Sequence, residues 1–183
     1  MPDQDERDVF VALEEAGGKP RSAALPNINF CGDIGLKIGR DGTWYYQGSP
    51  IQRPALVKLF ASVLRLEDDG AYFLVTPVEK VSIEVEGAPF VAVEMWREGS
   101  GEAQALTFRT NVDDVVTADR EHPLGFETEP KGSFMPFVVV RGGLRARLAR
   151  PVYYELAALA LEGPSPERAG VWSGGVFFLF PTT

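Results

Sequence analysis

Residues 44–54 read Trp-Tyr-Tyr-Gln-Gly-Ser-Pro-Ile-Gln-Arg-Pro, and this stretch decides the fold because its pattern returns later in the chain. The second copy has Val-Val-Val-Arg-Gly at 138–142 and Arg-Pro at 150–151. Each Arg-Pro is followed by a helical pattern of apolar residues and then by an apolar run, at 72–75 and at 177–180. The repetition predicts a unit of strand, turn, helix and strand that occurs twice.

The overall composition is that of an ordinary globular protein. Hydrophobic residues make up 45% of the 183 positions, enough to bury the core of one domain or of two small ones. A formal charge of −8 provides no overall field for non-specific nucleic-acid binding. The acidic start resembles no signal peptide, and no apolar run approaches the ~20 residues that span a bilayer. With one cysteine and no disulfide framework, a cytoplasmic protein without membrane contact is expected.

The order of elements predicts a strand-rich, antiparallel α+β fold in three segments. Residues 1–18 have the apolar spacing and acidic first turn of an amphipathic helix. Residues 19–77 form the first repeat domain, whose helix is expected to end at Asp68-Asp69-Gly70. Residues 78–183 form a second, larger, strand-rich domain that contains a loop-rich stretch at 119–133 and ends in the second repeat.

Five motifs resemble those of a known family. They are Cys31-Gly32-Asp33, Asp41-Gly42-Thr43-Trp44, Gly48-Ser49-Pro50-Ile51-x-Arg53-Pro54, Tyr72-x-Leu74-Val75-Thr76-Pro77-Val78-Glu79-Lys80 and Thr110-Asn111-Val112-Asp113. The chain thereby resembles the uncharacterised bacterial domain-of-unknown-function family 1285. The resemblance implies a duplicated core and a C-terminal half superficially like pleckstrin-homology folds. It also implies a nucleotide-like or nucleic-acid-derived ligand between the halves, in a signalling role, and no established reaction.

The two Arg-Pro helix starts, at Arg53 and Arg150, are the first candidates for a binding site. A helix N-terminus carries partial positive charge, so an arginine beside it is unfavourable unless an anion lies there too. That anion can be a ligand phosphate or one of the protein's own 26 acidic side chains, and the internal pair is the favoured interpretation. Each arginine is therefore expected to have an anionic partner.

A basic hairpin in this acidic chain is the second candidate. Between 131 and 150 there is no acidic residue, and the five basic ones are Lys131, Arg141, Arg145, Arg147 and Arg150. Arg145 and Arg147 alternate with apolar neighbours, so they share the outer face of one strand, where a rigid arginine pair suits phosphate. An edge strand that is charged against aggregation is an equally good interpretation.

Catalytic and metal chemistry have weaker support. Glu79, or the pair Asp113-Asp114, could act as a general base, but a loop ion pair or a solvated turn is the commoner situation. Cys31 with His122 could form a nucleophile pair, although a buried structural cysteine is the better interpretation. Because the chain has one cysteine, one histidine and no phosphate-cradling glycine motif, no metal or cofactor is predicted.

The first hypothesis is a non-enzymatic sensing or adaptor module that binds an anionic ligand in the groove between its halves. Its expected ligand-binding residues are Arg53, Thr76, Lys80, Arg109, Arg147 and Arg150. One alternative is a protein-interaction module that binds a partner through exposed strands or through the aromatic residues Trp44, Tyr45 and Trp96, and needs no small molecule. Another is an enzyme built on Glu79 or on Asp113-Asp114. The sequence leaves the ligand, any protein partner and the oligomeric state open.

Overall fold

The computed structural model describes residues 29–128, 132, 134–161 and 169–181. Within these residues strands dominate and two α-helices occur, so the predicted strand-rich α+β class is confirmed. The predicted helix at 1–18 lies outside the described residues, and so does Lys131. The chain divides into two compact units, of which the first ends at Gly87 and the second begins at Ala88.

Unit one is a six-stranded sheet with one helix. Its elements are β1 (Asn29–Ile38), β2 (Trp44–Tyr46), β3 (Ser49–Pro50), α1 (Pro54–Val63), β4 (Leu64–Leu66), β5 (Tyr72–Val75) and β6 (Glu79–Val85). The strands run in the order β3-β2-β1-β6-β5-β4, and every neighbouring pair is antiparallel except the parallel central pair β1–β6. Two three-stranded meanders are thus joined through the first and last strands.

Unit two repeats this arrangement and adds a hairpin. Its elements are β7 (Phe90–Glu98), a 3-10 turn (Gly101–Ala103), β8 (Ala105–Thr110), β9 (Val115–Thr117), β10 (Leu124–Thr128), β11 (Phe134–Arg141), β12 (Leu144–Leu148), α2 (Arg150–Leu161), β13 (Gly170–Ser173) and β14 (Val176–Leu179). The main sheet has the order β10-β11-β12-β7-β8-β9, with β12 and β7 parallel. Its two meanders again meet through their first and last strands, so the predicted duplication is confirmed.

The two Arg-Pro helices form as the repeat predicts, and each is followed by strands. Their places in the two sheets differ, because α1 connects the two meanders of unit one whereas α2 follows both meanders of unit two. Unit two therefore has its six sheet strands before its helix, which fits the superficial pleckstrin-homology likeness. The duplicated element is therefore the six-stranded sheet with its parallel central pair of strands. The Arg-Pro helix lies at a different place in the strand order of each copy.

Three boundaries differ from the sequence expectation. The first unit extends beyond residue 77, because β6 pairs with both β1 and β5 and so belongs to the first sheet. Helix α1 ends at Val63, since Leu64 is already extended at ψ 136°. Asp68-Asp69-Gly70 instead lies in the turn between β4 and β5, where Asp69 Oδ1 accepts the N–H of Ala71 at 2.9 Å. Strand β10 occupies part of the stretch at 119–133 that was expected to be loop.

Alternating side chains of each sheet, together with one face of its helix, form the core. In unit one Trp44 is 1% exposed and its ring stacks 6.1 Å from that of Phe60 on α1. Trp44 is therefore not an exposed aromatic residue that could bind a partner, as the interaction hypothesis had suggested, whereas Trp96 is 45% exposed. In unit two Val152, Leu156 and Ala160 lie one helical turn apart on α2 and are all buried. Neither described helix has the length and apolar character needed to cross a membrane.

Candidate functional site

The six predicted ligand-binding residues are divided between the units. Unit one contains Arg53, Thr76 and Lys80, and unit two contains the other three. Thr76 is 5% exposed and holds the turn between β5 and β6. Its Oγ1 accepts the backbone N–H of Glu79 at 3.0 Å and donates to the carbonyl oxygen of the same residue at 3.2 Å. The geometry thus gives Thr76 a local structural role.

Lys80 and Arg109 are engaged with carboxylates of their own unit. Lys80 forms an ion pair with Glu67, and its Nζ lies 3.9 Å above the ring of Phe73. Arg109 donates from Nε and Nη2 to the two oxygens of Glu94 at 3.0 and 2.5 Å, and from Nη1 to Asp113 at 2.7 Å. These bonds raise the pKa of Arg109 and lower that of Glu94. Both basic side chains are therefore paired with carboxylates of the protein itself.

Arg53, Arg147 and Arg150 behave differently, because the side chain of none of them makes a hydrogen bond or ion pair with a residue that the structure describes. Arg53 caps α1 without a side-chain capping bond, and it is exposed. Arg150 begins α2 and is exposed. The first turns of both helices lack an acidic residue. The carboxylate partners expected at Arg53 and Arg150 are thus missing from the described part of the chain.

Arg147 and Arg150 flank the passage from β12 to α2, and we call this pair the arginine junction. Arg147 is half-buried on the outer face of β12, and its Nε is buried without a hydrogen-bond partner. Between the two, Ala149 provides the carbonyl that accepts the first helical N–H, from Tyr153 at 2.9 Å. An alanine at this position has no side-chain oxygen to cap the helix, so the first N–H groups have no capping side chain.

Arg145 offers an internal comparison two residues away on the same face, which confirms the predicted outward alternation. It forms an ion pair with Glu127 on β10, and its guanidinium lies 4.3 Å from the ring centre of Phe137. Arg145 therefore has an internal partner, whereas the side chain of Arg147 has none among the described residues. The two arginines thus differ although they share one face of β12.

The acidic pair considered for catalysis is also engaged. Asp113 binds Arg109 and Asp114 binds Arg141, so the acidic pair is not a free general base. Cys31 is exposed, which contradicts the expectation of a buried structural cysteine. The described residues contain no group of three or more potential metal-ligating side chains.

A serine, a histidine and an aspartate do come near one another in unit two. His122 Nδ1 lies 3.1 Å from Asp119 Oδ1, and a Cβ atom placed on Gly174 would be 2.7 Å from that of Asp119. Ser173, next to Gly174, is fully buried, accepts the N–H of Leu106 at 2.8 Å and donates to the carbonyl of Ala118 at 2.6 Å. The hydroxyl oxygen of Ser173 is buried, and it both accepts and donates a hydrogen bond within the protein. Ser173 is therefore structural and not a nucleophile.

Unit one contains a cavity of about 630 Å³ that no sequence motif indicated, and we call it the glycine trough. Gly35 and Gly39 line it, and a side chain at either position would meet Gln47 Cγ at 3.3 Å or Tyr45 Cε2 at 3.1 Å. Its charged lining residues are Asp33, Lys37, Arg40, Asp41, Glu84 and Glu86. The trough lies along β1 and its sheet neighbours β2 and β6, where Gly35 and Gly39 allow Gln47 and Tyr45 to come close to the backbone.

Two family models match the chain. The N-terminal domain of unknown function DUF1285 matches residues 25–88, and the C-terminal domain of the DUF1285 protein of unknown function matches residues 89–180. The chain belongs to the DUF1285 family. The junction of the two family domains agrees with the division of the structure at Gly87 and Ala88.

Solved structures of DUF1285 proteins share this fold. The crystal structure of a DUF1285 family protein from Silicibacter pomeroyi DSS-3 is 43% identical, covers 95% of this chain and 94% of its own, and has a TM-score of 0.84. One from Shewanella baltica OS155 is 29% identical, covers 69% of this chain and 92% of its own, and has a TM-score of 0.54. No curated protein matches the chain. The similarity to the first of these extends over both units of the DUF1285 protein described here.

Proposed function

We propose that this DUF1285 protein is a non-enzymatic sensing or adaptor module in signal transduction. It binds an anionic ligand, nucleotide-like or derived from nucleic acid, through the arginine junction of unit two. The supporting observation is the buried, unpartnered Nε of Arg147, close to an arginine and a helix start that also have no anionic partner among the described residues. The location of the ligand between the halves, with a contribution from Arg53, stays a prediction.

The chemistry of the junction suits a phosphate group. A guanidinium presents five N–H donors in a fixed plane, which match two oxygens of one phosphate. The N–H groups at the start of α2 and the partial positive charge of that helix end also favour an anion. A buried donor without an acceptor costs about 1–3 kcal/mol, so a phosphate oxygen that accepts from Arg147 would recover that free energy.

The proposal is tested by titrating the protein with a panel of nucleoside mono-, di- and triphosphates in a calorimeter. Replacing Arg147 or Arg150 by alanine is expected to weaken binding by on the order of 1–3 kcal/mol. Arg145→Ala is the matched control, because it removes the same charge from the same strand face while Arg145 is already paired with Glu127. Binding is also expected to weaken as salt rises, since exposed charges are screened over about 8–10 Å at physiological ionic strength.

Two outcomes contradict the proposal. One is equal weakening by Arg145→Ala and Arg147→Ala, which would show a general effect of charge. The other is the absence of nucleotide binding to the wild-type protein in low salt. The protein-interaction alternative would then be preferred, because Val93, Trp96 and Val115 are 37%, 45% and 62% exposed on β7 and β9 of unit two.

A further inference from the structure

We propose that the glycine trough of unit one binds a small organic cation, an aliphatic amine or a guanidinium compound. This site is distinct from the arginine junction and takes a ligand of opposite charge, so it does not depend on the function proposed above. The cavity of about 630 Å³ falls within the roughly 300–1,000 Å³ of small-molecule sites.

The charge of the lining favours a cation. Four carboxylates and two basic side chains line the trough, and all six residues belong to unit one. Lys37 bridges two of the carboxylates, at 3.2 Å from Glu84 and 2.6 Å from Glu86. Its hydrogen bonds to Glu86 and Glu84 raise the pKa of Lys37, and Lys37 in turn lowers the pKa of Glu86. The single ammonium of Lys37 is thus shared by two carboxylates. With four acidic and two basic side chains, the lining has an excess of negative charge.

Asp33 and Glu84 are the carboxylates with capacity for a further cation. Asp33 Oδ1 accepts a backbone N–H, that of Gly35 at 2.8 Å, and Asp33 forms no ion pair with a described residue. The side chain of Glu84 is 66% exposed, with Lys37 at 3.2 Å. Asp33 lies on β1 and Glu84 on its neighbour β6. Asp33 pairs with Ser82, and Glu84 is two residues beyond Ser82 on the same face of β6. Asp41 is less available, because both of its oxygens accept from Thr43.

The shape of the trough favours an organic cation over a metal ion. Hard cations need about six converging oxygens, and no group of metal-ligating side chains occurs among the described residues. The wall includes the half-buried ring of Tyr45, which can attract an ammonium or guanidinium through its face. Gln47 forms another part of the wall and adopts a left-handed backbone conformation at φ 47°, held by its N–H to the carbonyl of Gly35 at 2.8 Å. Gln47 and Gly48 are the two residues of the turn between β2 and β3, and positive φ at both positions is the usual geometry of such a hairpin.

The experiment titrates the full chain with putrescine, spermidine and agmatine, and follows binding by calorimetry and by saturation-transfer NMR of the amine. Glu84→Gln and Asp33→Asn are each expected to weaken amine binding roughly threefold to tenfold, the range for a partly exposed charge contact. Glu98→Gln is the matched control, because it removes one exposed carboxylate from β7 of unit two, outside the trough. It should leave binding unchanged, and so should Arg147→Ala.

Two results would overturn the inference. If none of the three amines binds the wild-type protein at millimolar concentration, the trough is not an amine site. If Glu98→Gln weakens binding as much as Glu84→Gln does, the amines bind only through the overall charge of −8. Thermal melting of each variant shows whether it is folded, and the second trough variant keeps the test valid should one of them unfold.

Discussion

Ser173→Ala removes the hydroxyl that connects the β13–β14 hairpin to the strands beside it in unit two. The oxygen accepts one buried backbone N–H, from Leu106, and donates to one buried carbonyl, of Ala118. The variant therefore leaves two buried backbone groups without this partner, and each such group costs about 1–3 kcal/mol. Some relaxation of the hairpin offsets part of the loss. We expect the free energy of unfolding to fall by about 2–4 kcal/mol.

The assay is urea unfolding followed by circular dichroism and tryptophan fluorescence. Ser62→Ala on α1 is the control, because that hydroxyl is exposed and donates only to the carbonyl of Leu59 at 2.6 Å. Its effect should stay within about 0.5 kcal/mol. A loss of less than about 1 kcal/mol for Ser173→Ala would refute the reasoning, because it would mean that both backbone groups find other partners.

Two further predictions concern unit two. Arg109 lowers the pKa of Glu94, so this carboxylate stabilises the fold above its unfolded pKa of about 4.3, and the contribution disappears as the pH falls through the lower folded value. The difference in unfolding free energy between wild type and Glu94→Gln should therefore shrink on acidification, as measured by urea unfolding from about pH 7 to about pH 3. Leu156→Ala removes a fully buried side chain from α2 and should cost about 2–5 kcal/mol in the same assay, whereas Tyr154→Ala, at a position 62% exposed, should cost less than about 1 kcal/mol.

Elements with a clear period could be predicted from the sequence. The alternation in β6 and β12 and the helical spacing after each Arg-Pro gave the correct type of element, because each pattern fits one period only. The predicted end of α1 was wrong because Leu64 and Leu66 fit the apolar face of a helix as well as a strand. Pairing with β5, which places Leu64 opposite Leu74, decides between the two, and such a tertiary contact is not visible in the local pattern.

The candidate sites show the same limit. The sequence predicted an arginine pair on one strand face, but only the position of Glu127 on β10 distinguishes the paired Arg145 from Arg147. The glycine trough was missed because it requires three strands to come together, two of them as a parallel pair distant in the chain. The one local signal was the alternation of glycines with charged residues in β1, from Asp33 to Gly39.

The parallel pair at the centre of each sheet has a consequence for how the chain acquires its structure. Asn29 pairs with Glu79, and Phe90 with Ala146, so the contacts that unite each sheet join its first strand in the chain to its sixth. Closing such long loops carries a high entropic cost before any contact offsets it, and folding rates fall as contacts become more distant in sequence. Each half should therefore remain incomplete on the ribosome until its sixth strand has emerged. A truncation that removes that strand should leave one three-stranded meander and one two-stranded hairpin, and not a smaller stable domain.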